Sequence, residues 1–93
     1  MKSEQILEEL ERVAEKVGVR LSYETLGGDV GQGGLCKVKG EWRAILDRRA
    51  PASEKVALLA AALARFDLEG VFLSPEVRQV VEHAQARARS EIK

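Results

Sequence analysis

Between Gly27 and Trp42 the chain holds six of its eight glycines and its one cysteine. Three chemistries could use such a stretch. A phosphate cradle needs glycines at fixed offsets, so that backbone N–H groups converge on an anion at a helix N-terminus. Gly31-x-Gly33 would need a third glycine at position 36, where Cys36 stands. Gly28 and Gly33 have P-loop spacing, but Gly34-Leu35 replaces the lysine and hydroxyl residue that must follow, and strand-like residues come next. The glycines are expected to form a turn between strands. A nucleophilic thiol needs a histidine, a cation or a helix N-terminus beside it. Lys37 alternates away from Cys36 on a strand, so Cys36 is expected as a small hydrophobe packed between the sheet and the second helix. A zinc site needs several soft or imidazole ligands, and His83, off the apolar stripe of its helix, is the only histidine. The carboxylates are scattered among basic residues, with no pair placed as acid and base. No catalytic residue, cofactor or metal is expected.

The elements around this stretch follow from periodicity. Ser3 is an expected N-cap, and Ile6, Leu7, Leu10, Val13, Ala14 and Val17 form a helical stripe that Gly18 can end. From Val19 the period becomes two: Val19, Leu21 and Tyr23 alternate with Arg20, Ser22 and Glu24. Cys36 and Val38 are expected on the core face of a second strand, with Leu35, Lys37 and Lys39 opposite. Gly40 offers the positive φ of a tight turn. The return strand puts Trp42, Ala44 and Leu46 inward and Arg43, Ile45 and Asp47 outward. Pro51 and Ser53 open a second helix with the stripe Val56, Leu59, Ala60, Leu63 and Phe66. It is apolar on most sides, so it is expected at the centre, with Ala57, Ala61 and Ala64 as a smooth ridge. Val71-Phe72-Leu73 reads as a short buried connector or strand. Ser74-Pro75 starts a third helix with Val77, Val80, Val81, Ala84 and Ala88 inward.

The order α-β-β-β-α-α predicts an α+β fold: a three-stranded antiparallel meander with three helices packed mainly on one face. The 93 residues suit a single domain over 1–93, with 1–2 and about 89–93 frayed. Fifteen basic residues balance fifteen acidic ones, so no global field favours nucleic acid or membrane. One cysteine, no apolar signal core and no apolar run near the ~20 residues of a bilayer span predict a cytoplasmic protein.

Two resemblances rest on particular residues. Gly33-Gly34-Leu35-Cys36, Gly40 and the segment from Ile45 to Arg78 resemble a set of short bacterial hypothetical proteins. Those share a GG-x-C hairpin, an LD, an alanine-rich helix and an L-x-P-x-V-R segment, and the likeness covers residues 33 to about 82. It implies no activity. More remotely, the passage from Ala44 to Arg65 looks like the strand-then-helix passage of ImmA/IrrE-type zinc peptidases, where the helix carries HExxH. Here Ala61-Ala62-Leu63-Ala64-Arg65 falls on that motif, so the resemblance implies at most a metal-free relative of the scaffold.

The sequence therefore points to a non-enzymatic protein-interaction or homo-oligomerisation domain, pairing with itself and also open to another protein. Leu35, Ile45, Leu58 and Ala61 are the candidate interface. The alternative is nucleic-acid binding through Arg20, Lys37, Lys39 and Arg43 on one strand face, weakened because Tyr23 and Trp42 point to the core and leave no stacking platform. An enzyme with a thiol or metal site around Cys36 comes last.

Overall fold

A computed structural model describes residues 2–25 and 33–91 of the chain. Helix α1 spans Ser3–Lys16, strands β1, β2 and β3 span Val19–Glu24, Gly33–Val38 and Glu41–Asp47, and helices α2 and α3 span Ala52–Leu63 and Pro75–Glu91. This is the expected α+β class with the expected element order. Most of the glycine-rich connection, with the expected turn at Gly28 and Gly31, lies outside the described residues, as do 1 and 92–93. Of the other end residues expected to fray, 89–91 belong to α3 and Lys2 caps α1.

The sheet is mixed, which corrects the expected meander. Its order is β1-β3-β2, with β1 parallel and β2 antiparallel to β3. The strands' composition explains why β3 takes the centre. Ala44 and Leu46 are both buried, whereas β2 opens with two glycines and carries lysine, residues better suited to an edge. β1 ends and β2 begins at the same end of β3, since Tyr23 and Gly33 both sit beside Leu46.

The hairpin fixes the phase of β2. Lys39 (φ 52°) and Gly40 (φ 79°) form a two-residue turn with both positions left-handed, the type I′ geometry that matches strand twist. Val38 then pairs with Glu41, Lys37 with Trp42, Cys36 with Arg43 and Leu35 with Ala44. Paired residues share a face. Leu35 and Lys37 therefore lie on the helix side of the sheet and Cys36 and Val38 on the outer side, the reverse of the sequence expectation.

Helices α1 and α2 cover one face of the sheet, and α3 packs against those two helices and not on the strands. Leu10, Val13 and Ala14 of α1, Val56, Leu59, Ala60 and Leu63 of α2, and Val77 and Val81 of α3 join Val19, Ala44, Leu46 and Leu73 in one buried cluster. α2 is the central helix, as its composition predicts. Its first turn is held by the Pro51 carbonyl, which accepts from Glu54 and Lys55 N–H, with Pro51 itself in the cap position. α1 begins at Ser3 and is not capped by it: the Gln5 side chain reaches back to accept from Lys2 N–H at 2.9 Å. Gly18 (φ 84°) ends it, as expected. Past α2, Phe66 meets Trp42 edge-on, with ring centroids 5.6 Å apart. Of the segment 71–73, Leu73 is buried and Phe72 is 77% exposed, and no strand forms. Ser74 caps α3, its Oγ accepting from Val77 N–H at 3.4 Å. Its own N–H donates to Glu9 Oε2 at 2.7 Å, tying the start of α3 to α1.

Because Lys39 occupies a left-handed position, Lys39→Asn should stabilise the fold by roughly 0.5–1 kcal/mol, and Gly40→Ala should cost about 1 kcal/mol. Urea unfolding checks both, with the slope m unchanged.

Candidate interaction face

Among the described residues, no helix lies on the outer face of the sheet. Period-two alternation and the register arrange it in rows across the strands. One row is Arg20, Arg43 and Cys36, the next is Ser22, Ile45 and Gly34, and the third holds Glu24 and Asp47. Val38 and Glu41 lie at the hairpin end, before the first row. Apolar atoms on this face come from half-buried Ile45 and Cys36 and, at the hairpin end, from Val38, which is 42% exposed. A Cβ built on Gly34 meets nothing within 4 Å, so open space lies beside Ile45.

The cations of this face are already engaged. Arg43 Nη2 lies 3.2 Å from Glu41 Oε1, and Arg20 Nε lies 3.6 Å from the same oxygen. Arg43 Nε is buried with no hydrogen-bond partner among the described residues. Of the four candidate anion contacts only Arg20 and Arg43 meet on the outer face. Lys37 is on the other side with its Nζ 5.3 Å from the centre of the Trp42 ring, and Lys39 is in the turn. The continuous basic stripe that an RNA-binding sheet would need is therefore not assembled, and Glu24, Glu41 and Asp47 are interspersed with what remains.

The candidate interface residues also separate. Ile45 stays on the outer face. Leu35 and Leu58 are partly buried against the core, and Ala61 is exposed on α2. The surface partner for Ile45 is thus Val38 and Cys36, not Leu35. Cys36 is a free thiol beside Arg43, not packed under α2. His83 is exposed, and among the described residues no group of three histidine, cysteine or carboxylate side chains could hold a metal ion. No helix among them is long and apolar enough to cross a membrane.

On the helix side, Tyr23 stands between α1 and α2. Its hydroxyl donates to Glu11 Oε2, and Lys55 Nζ lies 5.2 Å from its ring centre. Burial, then the hydrogen bond to Glu11 and its negative charge, push the phenol well above its usual range. Sequence periodicity put Tyr23 inward but gave no sign of the Glu11 contact, which joins separate elements. Glu41 was not singled out either, although its alternation in phase with Arg43 is a signal that could have placed it on the outer face.

No family model matches the chain, and no curated protein or solved structure matches it significantly.

Two measurements follow from these placements. Cys36 should react with a thiol reagent in the native protein within about tenfold of its denatured rate at low protein concentration, because it is half-buried on a face that no described helix covers. A native rate slowed a hundredfold or more at that concentration would put it back in the core. The chain has one tyrosine, so phenolate absorbance reports Tyr23 alone. Its folded-state proton is held more tightly than in the unfolded chain, so stability should fall as pH rises past about 10, the unfolded value. Absorbance should rise only together with unfolding, and that alkaline loss should be smaller in Tyr23→Phe.

Proposed function

We propose that the protein is a non-enzymatic interaction module that pairs with a second copy of itself through the outer face of its sheet. The observation that carries this is the placement of charge. Arg43 and Asp47 stand two positions before and two after Ile45, and Arg20 and Glu24 stand likewise about Ser22. A two-fold axis along the Ser22–Ile45–Gly34 row would lay β3 over its copy in the opposite direction. Each arginine row then meets the acidic row of the partner, while Ile45 meets Ile45 and the space over Gly34 takes up side-chain bulk. Such self-complementarity is what an isologous contact requires.

The size of the face sets the strength. Three strands at ~4.8 Å spacing and about six residues at ~3.3 Å rise give a face of roughly 14 by 20 Å. That is small beside the ~800 Å² per partner of a standard interface, so the pairing is weak and reversible. Arg20, at 64% side-chain exposure, gains little within one chain from Glu41. Its value lies in steering the partner. A cytoplasmic setting suits an unpaired thiol on this surface. Under this proposal the likeness to the zinc peptidase passage goes no further than a strand followed by an alanine-rich helix, since α2 ends at Leu63 and Arg65, in the place of the second histidine, lies beyond it.

Sedimentation equilibrium from tens to hundreds of micromolar should show a monomer–dimer equilibrium. Ile45→Glu should abolish it with helical signal retained, and Arg20→Glu should weaken it at least ~10-fold. The double variant Arg20→Glu/Glu24→Arg should restore it, because each new arginine faces a new glutamate in the partner. A monomer throughout, or a double variant no better than the single, would sink the proposal. Dissociation by Ala61→Glu alone would move the interface to α2.

A further inference from the structure

The sheet has a second feature with no partner among the described residues, independent of the face just described. β1 is an edge strand, six residues long, with neither proline nor bulge to blunt it. The direction of its backbone groups can be fixed from one bond. Arg48 N–H donates to the Glu24 carbonyl at 2.9 Å, so Glu24 turns its polar groups toward β3. Direction alternates along a strand, so Arg20 and Ser22 also face β3 while Val19, Leu21 and Tyr23 face outward. The Tyr23 carbonyl accepts from Arg48 Nη2 at 3.0 Å. The N–H groups of Leu21 and Tyr23 and the carbonyl of Leu21 are left toward the open edge.

A groove of about 560 Å³ runs along this edge, bounded by Glu11, Glu15, Leu21, Tyr23, Arg20 and Glu41, with Gly18 and Val19 at one end. Glu11 and Glu15 are four apart on α1 and so stand one above the other along the wall. Three carboxylates against one guanidinium leave the lining with an excess of two negative charges, and that guanidinium is bound to Glu41. A strand entering the groove would send alternate side chains toward the α1 carboxylates. A second copy pairing β1 with β1 would instead bring two such acidic walls together.

We infer that the β1 edge binds an extended basic peptide by strand addition, with alternate lysine or arginine side chains directed at Glu11 and Glu15. Backbone hydrogen bonds to Leu21 and Tyr23 supply the docking, and the acidic wall supplies the preference for cationic side chains. Leu21, half-buried between Val19 and Tyr23, offers apolar contact at the middle of the edge.

The probe is an acetylated, amidated Lys-Val-Lys-Val-Lys-Val-Lys peptide added to the full chain and followed by NMR amide exchange and chemical shifts. Binding is expected on the order of 100 µM. The Leu21 and Tyr23 amides should exchange at least ~10-fold more slowly when bound, while those of Arg20 and Ser22, already paired with β3, should change little. Glu15→Lys, at an exposed helical position, should weaken binding at least ~10-fold. A Lys-Pro-Lys-Pro-Lys-Pro-Lys peptide keeps the charge, but its prolines fix φ at about −65° and hold it in polyproline II and not in a pleated strand, so it should not protect these amides. Equal binding by that peptide would reduce the effect to charge alone and overturn strand addition. So would no binding at about 1 mM, or shifts centred on Cys36 and Ile45. If the free protein protects Leu21 and Tyr23 increasingly with its own concentration, the edge belongs to a second copy and the inference is wrong. The Ile45→Glu variant should bind the peptide as the parent chain does, which keeps this test separate from dimerisation.

Discussion

Two hydrogen-bonded neighbours hold β3, and the rest of the domain is arranged by what that central strand presents on each side. Ala44 and Leu46 face inward and are almost completely covered. The small Ala44 side chain lets α2 approach the middle of the sheet, and Trp42 meets Phe66 just beyond the end of that helix. α1 and α3 then flank α2, joined at Ser74 and Glu9. With all the buried strand residues committed to one side, the other side of β3 is left with Arg43, Ile45 and Asp47. A chain of this length cannot build a second core there.

The outer surface is accordingly a mixture, and its ion pairs should be valued by where they point. Exposed bridges such as those from Glu41 contribute little to stability. They do hold arginine side chains upright in a defined row, which narrows the ways another surface can fit. Helix-side polar contacts have a different role. The bond between Tyr23 and Glu11 bridges β1 and α1, and Lys55 closes over the ring from α2, so three elements converge on one phenol.

The helices were legible because each has a stripe of the right period, and burial of Leu10, Val13, Leu59, Leu63, Val77 and Val81 follows those stripes. Strand positions were legible for the same reason. Sheet order was not, because periodicity says which face of a strand is buried and not which strand is its neighbour. β2 was misphased for a sharper reason. Leu35, Cys36 and Val38 are all apolar enough to face inward, and only the turn length decides between them. Lys39 in a left-handed conformation is uncommon, so taking Gly40 as the sole turn residue concealed the two-residue loop. That one-step shift moved Leu35 and Lys37 off the outer face and Cys36 onto it, dissolving both the expected basic stripe and half of the expected apolar patch.

The parallel pairing of β1 with β3 also bears on the order in which the chain assembles. Val19 and Trp42 are neighbours in the sheet but 23 positions apart in the chain (42 minus 19), whereas β2 and β3 are joined by a two-residue turn. Loop-closure entropy favours the short-range hairpin, and α2 follows β3 closely enough to dock onto it early. β1 cannot pair until β3 is in place, and α1 is tethered to it through Gly18. Folding should thus proceed from the middle of the chain outward, with the N-terminal α1–β1 unit arriving after the barrier. Truncation at Leu21 would then speed unfolding, while truncation at Leu46 would slow folding. A unit that docks late and onto an exposed strand is also the part of this molecule most easily exchanged between two chains.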